Sequence, residues 1–217
     1  MIEHVAVLWT GGKDCALAMH EACEGGCDVR ALITFAPADA HFLAHPLNVI
    51  RLQAETLGRP HYCIEVSEPY EDGYRRAIGQ VRDRLGIATL ITGDIGPVDG
   101  HGNWIRQCAE PLGLEVHTPL WDADREALLN RLIEAGFVAI ISCVQLEWLG
   151  EEWLGTELTA DVLERLVLHS RKSGIDPCGE QGEYHTLVMD GPGFRHRVTP
   201  GPWRVGRSGG LAYLEWA

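Results

Sequence analysis

Short apolar runs and longer amphipathic stretches alternate along most of the chain. The runs His4–Trp9, Arg30–Phe35, His61–Val66, Ala88–Thr92, Glu115–Leu120 and Phe137–Cys143 have strand length. Several are apolar at successive rather than alternate positions, as in strands buried on both faces of a parallel sheet. Between them, Asp14–Glu24, Leu47–Leu57, Tyr70–Leu85, Trp104–Leu112 and Asp124–Ala135 carry a helical period. Gly58, Gly86, Gly113 and Gly136 each follow such a stretch, where a helix end favours a left-handed residue. The repeated β–α order predicts right-handed crossovers and a doubly wound parallel α/β sheet. Ligands of such sheets lie beyond the carboxyl ends of the strands, where Gly11–Asp14, Thr34–Pro37 and Thr92–Asp94 would project.

After Cys143 the texture changes, which predicts a main domain over 1–143 and a smaller C-terminal α+β subdomain over 144–217 packed against it. Val144–Gly155 is rich in Trp, Leu and Glu, and Thr159–Lys172 reads as an amphipathic helix with Thr159 or Asp161 at its start. Gly174–His185 is rich in glycine and acid. Thr186–Met189, Arg195–Val198 and pieces of Trp203–Trp216 around Gly209-Gly210 read as short strands.

Composition narrows the class. A hydrophobic fraction of 46% with 23% charged residues is that of a soluble globular chain. No apolar run is long enough to span a bilayer, and the first residues lack a signal-peptide layout. The seven cysteines form no C-x-x-C pair, and Cys23 and Cys27 have no matching second pair to complete a zinc spacing. That usage fits a reducing compartment and predicts a cytoplasmic protein. The net charge of −13 disfavours broad binding to nucleic acid, and Arg195, His196, Arg197, Arg204 and Arg207, the only candidates for a local basic patch, read better as a solvated surface of the strand-rich tail. A homodimer sharing the strand-rich tail is a reasonable assembly.

The first candidate chemistry lies in Val5–Cys15, where an apolar run breaks at Gly11-Gly12 into Lys13 and a helical segment. A strand turning through glycines into a helix start aims backbone N–H groups and the positive helix end at one point, which suits a phosphate. Neither the Walker spacing nor the dinucleotide fingerprint is met. Thr10-Gly-Gly-Lys-Asp-Cys15 resembles the PP-loop of the N-type ATP pyrophosphatases, with a thiol at Cys15 where most members carry a hydroxyl.

The second constellation is Cys178-Gly-Glu-Gln-Gly-Glu-Tyr-His-Thr186, whose glycines can expose backbone while presenting Glu180 and Glu183 to a cation, an amine or a metal, although composition alone favours a glycine-rich turn with solvated glutamates. It resembles the Gly-Glu-x-Gly-Glu-(Tyr/Phe)-(Glu/His)-Thr motif of the diphthine–ammonia ligase family, an ATP-binding family formerly of unknown function. The likeness continues through Gln53-Ala-Glu55, Leu57-Gly58, Gly93-Asp94, Arg106-Gln-Cys108, Pro119-Leu-Trp121, Leu154-Gly155 and Asp190-Gly-Pro192.

The resemblance implies an adenine nucleotide alpha-hydrolase-like fold and an ATP-dependent ligase. Such an enzyme adenylates a carboxylate, releases pyrophosphate and transfers ammonia to the acyl group. ATP would lie on Thr10, Gly11, Gly12, Lys13, Asp14 and Cys15, with Phe35 near adenine and Gly93 and Asp94 bordering the same cleft. Lys13 and Mg²⁺, the metal on Asp14, would neutralise the departing pyrophosphate. Glu180, Glu183, His185 and Thr186 would face the acyl substrate, and His45 and Trp104 would complete the pocket. Glu180 or Glu183 would hold ammonium or accept its proton. The carboxylate is diphthine on elongation factor 2 or, given His185 where relatives more often carry glutamate, a small corrinoid-related acid of a bacterial paralogue. A PP-loop enzyme of tRNA modification and a non-catalytic nucleotide-binding module are the remaining readings.

Overall fold

The computed structural model describes residues 4–97 and 102–216. Its elements in chain order are β1 (His4–Leu8), α1 (Lys13–Glu24), β2 (Asp28–Ala36), α2 (Leu47–Leu57), β3 (His61–Glu65), α3 (Tyr70–Leu85), β4 (Thr89–Ile91) and α4 (Trp104–Ala109). There follow β5 (Glu115–His117), α5 (Arg125–Glu134), β6 (Val138–Gln145), α6 (Ala160–Ser173), β7 (Tyr184–Asp190), β8 (Trp203–Ser208) and β9 (Leu211–Trp216). The chain forms two compact units: Met1–Thr10, Asp14–His41 and Gly58–Asp122 in one, and Gly11–Lys13, Phe42–Leu57 and Ala123–Ala217 in the other.

The first unit is built on a five-stranded sheet of order β3-β2-β1-β4-β5 with every pair parallel. The successive apolar residues of the sequence pattern have this cause: Val5, Ala6 and Val7 of β1 are fully buried, as a central parallel strand requires. Ala6, Ala31, Ile33, Ile78, Val81, Leu90, Cys108 and Val116 form one core cluster. Helix α3 joins it through Ile78 and Val81 and stops at Gly86, which takes φ +61° and donates its N–H to Arg82 O. The sequence period predicts a helix over Trp104–Leu112, but α4 ends at Ala109 and tightens into a 3₁₀ turn at Glu110–Leu112. Pro111 lacks the N–H that another α-helical turn would need.

The strand order reverses between β1 and β4, since the chain runs outward through β2 and β3 and then returns to the other side. A crevice at the carboxyl ends of two such strands is where ligands of open α/β sheets bind. The segments that leave β1 and β4 there are those beginning at Trp9 and Thr92.

The second unit contains a four-stranded antiparallel sheet of order β7-β6-β9-β8. The run Phe137–Cys143, which the sequence pattern groups with the parallel strands, is β6 of this sheet. Its six consecutive buried residues look the same in either kind of sheet, so burial could not separate them. Arg195–Val198 is a loop rather than a strand: Arg195, His196 and Arg197 are exposed and only Val198 is buried. Helix α6 starts as expected at Thr159, whose hydroxyl accepts from Val162 N at 3.4 Å. Helix α2 belongs to this unit. Arg195 N donates to Thr56 O, and Ser142 Oγ donates to Ala44 O just ahead of the helix.

Candidate active site

In the first unit the ends of the glycine loop meet the end of β4. Thr10 donates its hydroxyl to Cys15 Sγ at 3.7 Å, and the Cys15 thiol is buried. A Cβ built on Gly93 would lie 2.5 Å from Cys15 N and 2.6 Å from Asp14 C, so only glycine admits the start of α1 so close to β4. Asp94 is exposed and accepts from Thr92 Oγ1 at 2.7 Å and from Asn103 Nδ2. Asn103 in turn caps α4 by accepting from Arg106 N at 2.8 Å. Phe35 and Trp104 do not touch each other but are joined through Tyr74, with ring centroids 5.4 Å and 6.4 Å apart.

In the second unit the middle of the same loop is held by polar contacts to α2, β7 and the segment before it. Gln53, fully buried on α2, donates from Nε2 to Gly11 O at 2.9 Å and to Val188 O at 2.8 Å. Val188 N donates to Gly11 O as well, so the loop is pinned along β7. Gly11 takes φ +82°, and a Cβ there would fall 2.3 Å from Gln53 Oε1. Thr186, also buried, accepts from Lys13 N at 3.1 Å through its hydroxyl. The Lys13 side chain is only 5% exposed, donates to Cys178 O at 2.6 Å and lies 5.7 Å from the centre of the Tyr184 ring.

His45 and His185 meet edge to face at 5.2 Å. Burial first, then the His185 and Lys13 charges, push the His45 imidazole down to about 3 against an opposing hydrogen bond to the Thr186 backbone. His45 is therefore neutral at neutral pH.

The loop before β7 is itself a network. Asp176 Oδ2 takes Arg125 Nε at 3.0 Å, and its Oδ1 accepts from Cys178 N at 2.7 Å. Tyr184 donates its hydroxyl to Pro177 O at 2.6 Å. Glu183, 3% exposed, accepts from Asp176 N at 2.7 Å and from Gln181 N at 3.0 Å. Glu180 is partly exposed and lies within electrostatic reach of Arg125.

The structure thus gathers Thr10, Asp14, Cys15, Gly93 and Asp94 in one unit, and Gly11, Gly12, Lys13, His45, His185 and Thr186 in the other. Sequence reasoning placed no role on Gln53, Tyr74, Arg125 or Asp176. Gln53 had a legible signal: a lone amide on the apolar stripe of Val49, Ile50, Ala54 and Leu57. The partners of Arg125 and Asp176 leave no mark in spacing or period.

A helix start, glycine backbone and a buried ammonium make a donor set that fits a polyphosphate. Among the described residues no three His, Cys, Asp or Glu side chains gather as a metal site. Mg²⁺ needs no such cage, since it is commonly held by one or two carboxylates together with substrate phosphates.

Residues 3–116 match the Diphthamide synthase N-terminal domain and residues 124–201 the Diphthamide synthase C-terminal domain. Diphthine–ammonia ligase of Schizosaccharomyces pombe is 29% identical over 88% of this chain, which spans 35% of that protein's length. The Danio rerio and Homo sapiens proteins of the same name are 28% and 27% identical over 89% of this chain, covering 85% and 81% of their own lengths. A solved structure, the predicted subunit of tRNA methyltransferase from Methanocaldococcus jannaschii, aligns with 88% of this chain at 16% identity and a TM-score of 0.49, which says nothing about substrate. With both of its domains matched along a chain that carries the Gly11–Lys13 loop and the Cys178–Thr186 segment, this protein belongs to the diphthamide synthase family.

Proposed function

We propose that this chain is an ATP-dependent ligase that forms a C–N bond by joining ammonia to a carboxylate, the reaction for which its Diphthine–ammonia ligase relatives are named. The observation that carries the reading is the Gly11–Lys13 loop, shaped by Gln53 and Thr186 into a helix start with a buried ammonium beside it. ATP supplies the activation: the carboxylate takes the adenylyl group as pyrophosphate leaves, and ammonia then displaces AMP to give the amide.

The protein's part is binding and charge placement. First-turn amides of α1 and the Lys13 ammonium counter the charge that builds on the leaving pyrophosphate. Asp14 in that same turn would repel a bare phosphate, so its carboxylate is suited to share a Mg²⁺ with it. Phe35 and Tyr74 offer ring faces for adenine at the end of β2, and Trp104, joined to them and 43% exposed, extends that wall. Neutral His45, edge to face with His185, can hydrogen-bond the acyl substrate without adding charge beside Lys13. Glu180 is the partly exposed carboxylate that meets ammonium or takes its proton. Diphthine is the acyl group named for the relatives, and a small carboxylic acid is the second substrate to test.

The test is to incubate the purified protein with ATP, Mg²⁺, ammonium and either diphthine-bearing elongation factor 2 or a panel of small carboxylates. Stoichiometric pyrophosphate, AMP and amide in one arm support the reading and name the substrate. A protein that binds no adenine nucleotide and releases no pyrophosphate with any of them refutes it.

A further inference from the structure

The segment Asp176–Glu183 folds back on a carboxylate of its own. Glu183 is anchored by its main chain, because Gln145 N at the end of β6 donates to Glu183 O at 2.9 Å. From that fixed point its side chain reaches back into the loop and accepts one N–H on each oxygen, from Asp176 at 2.7 Å and from Gln181 at 3.0 Å. Two turns closed by Gly179 N to Asp176 O and Gly182 N to Gly179 O complete the ring. A carboxylate at 3% exposure that accepts two main-chain N–H groups is poorly placed to take a proton from a substrate.

What the ring presents is Cys178 O. That carbonyl receives the Lys13 ammonium at 2.6 Å, while Tyr184 places its ring 5.7 Å from the same ammonium and its hydroxyl on Pro177 O. Asp176, held by Arg125, fixes Cys178 N from the other side.

We propose that Glu183 is a positioning residue for Lys13: its carboxylate shapes the 176–183 loop so that Cys178 O aims the ammonium at the phosphate-binding turn. It therefore serves nucleotide binding and the activation half of the reaction, and leaves the ammonia step to Glu180. The inference rests on the ATP-ligase reading above and adds the residue that orients its cation.

Glu183→Gln tests it with little change in volume. A glutamine can accept only one of the two N–H groups and turns a donor toward the other. Three measurements are made on the full chain: ATP affinity by calorimetry, the KM for ammonia, and hydrogen exchange at the Asp176 and Gln181 amides. Glu183→Gln should weaken ATP binding by roughly tenfold or more, as expected for losing a charged hydrogen bond in the loop. The Asp176 and Gln181 amides should lose protection, and the KM for ammonia should stay within about twofold of wild type. Combined with Lys13→Met, it should add nothing to the loss that Lys13→Met causes alone, because both act through one cation.

Wild-type ATP affinity in Glu183→Gln, with the defect confined to the KM for ammonia, overturns the proposal, as do additive losses in the double variant. If Glu183→Gln fails to fold, Gln181→Pro removes the N–H on Oε2 while keeping the carboxylate, and unchanged ATP affinity there overturns it equally. A wild-type protein that binds no ATP refutes the ligase reading instead, so the two failures are distinct.

Discussion

Gly93→Ala isolates how tightly the start of α1 is seated on the end of β4. The added Cβ would stand 2.5 Å from Cys15 N, 2.6 Å from Asp14 C and 2.8 Å from Asp14 O. All three are main-chain atoms, so no rotamer change can relieve the contact. Ordinary contact begins at 3.4 Å, and the helix start must move by about 1 Å away from the strand. Overpacking of that kind costs about 3 kcal/mol at the upper end of its usual range. With a urea dependence of about 2 kcal/mol per molar, the midpoint should fall by about 1.5 M. Gly86→Ala is the matched control: its φ is +61° but a Cβ there meets nothing within 4 Å. It should cost about 1 kcal/mol and shift the midpoint by about 0.5 M. Gly93→Ala should also weaken ATP binding, whereas Gly86→Ala should not. If the two variants unfold at the same urea concentration and bind ATP alike, the close seating of Asp14 and Cys15 against β4 is wrong.

Gln53→Glu places an acceptor against Gly11 O and Val188 O without changing shape, so it should destabilise more than Gln53→Leu at pH 7, by about 1–3 kcal/mol. The gap should close as the new carboxyl is protonated, which denaturation at two pH values would reveal. His45 is held at about 3 against an ordinary 6.5, so the unfolded chain takes up a proton that the folded chain refuses between those values. Its contribution is complete above 6.5 and is lost as pH falls toward 3. Stability curves of His45→Gln should accordingly be flatter than wild type over that window, and parallel curves would refute the burial of a neutral imidazole.

The parallel sheet was legible because its central strands are buried on both faces and its helices are followed by glycines. The boundaries of α2 and α3 follow the hydrophobic period residue for residue. Membership of a sheet was not legible. β6 and β1 both run through consecutive buried residues, yet one pairs antiparallel and the other parallel, because pairing is decided by partners far along the chain. The site divides the same way. Gly11–Lys13 stood out as a glycine turn into a helix and Glu180–Thr186 by its likeness to a family motif, whereas the hydrogen bonds of Gln53 and Glu183 run to distant or folded-back main chain. A period reveals which face is buried, not what a buried amide or carboxylate touches there.

The glycines of the loop also take on a different meaning. The turn motif suggests that Gly11 is small so that a phosphate can approach, yet the atoms that crowd it belong to the protein: Gln53 at Gly11 and, likewise, the Asp14–Cys15 main chain at Gly93. Their first effect is to let the chain's own polar groups fix the turn. With Thr186 on Lys13 N and Cys178 O on Lys13 Nζ, the turn and its cation are set before any ligand arrives. Donors ordered in advance lower the entropy lost on binding and need no rearrangement as charge moves onto the leaving group. The same logic explains why Cys15 is tolerable where related loops carry a hydroxyl. Its buried sulfur accepts Thr10 and stays within the turn, so on the ATP-ligase reading the main chain, and not that side chain, would meet the phosphates.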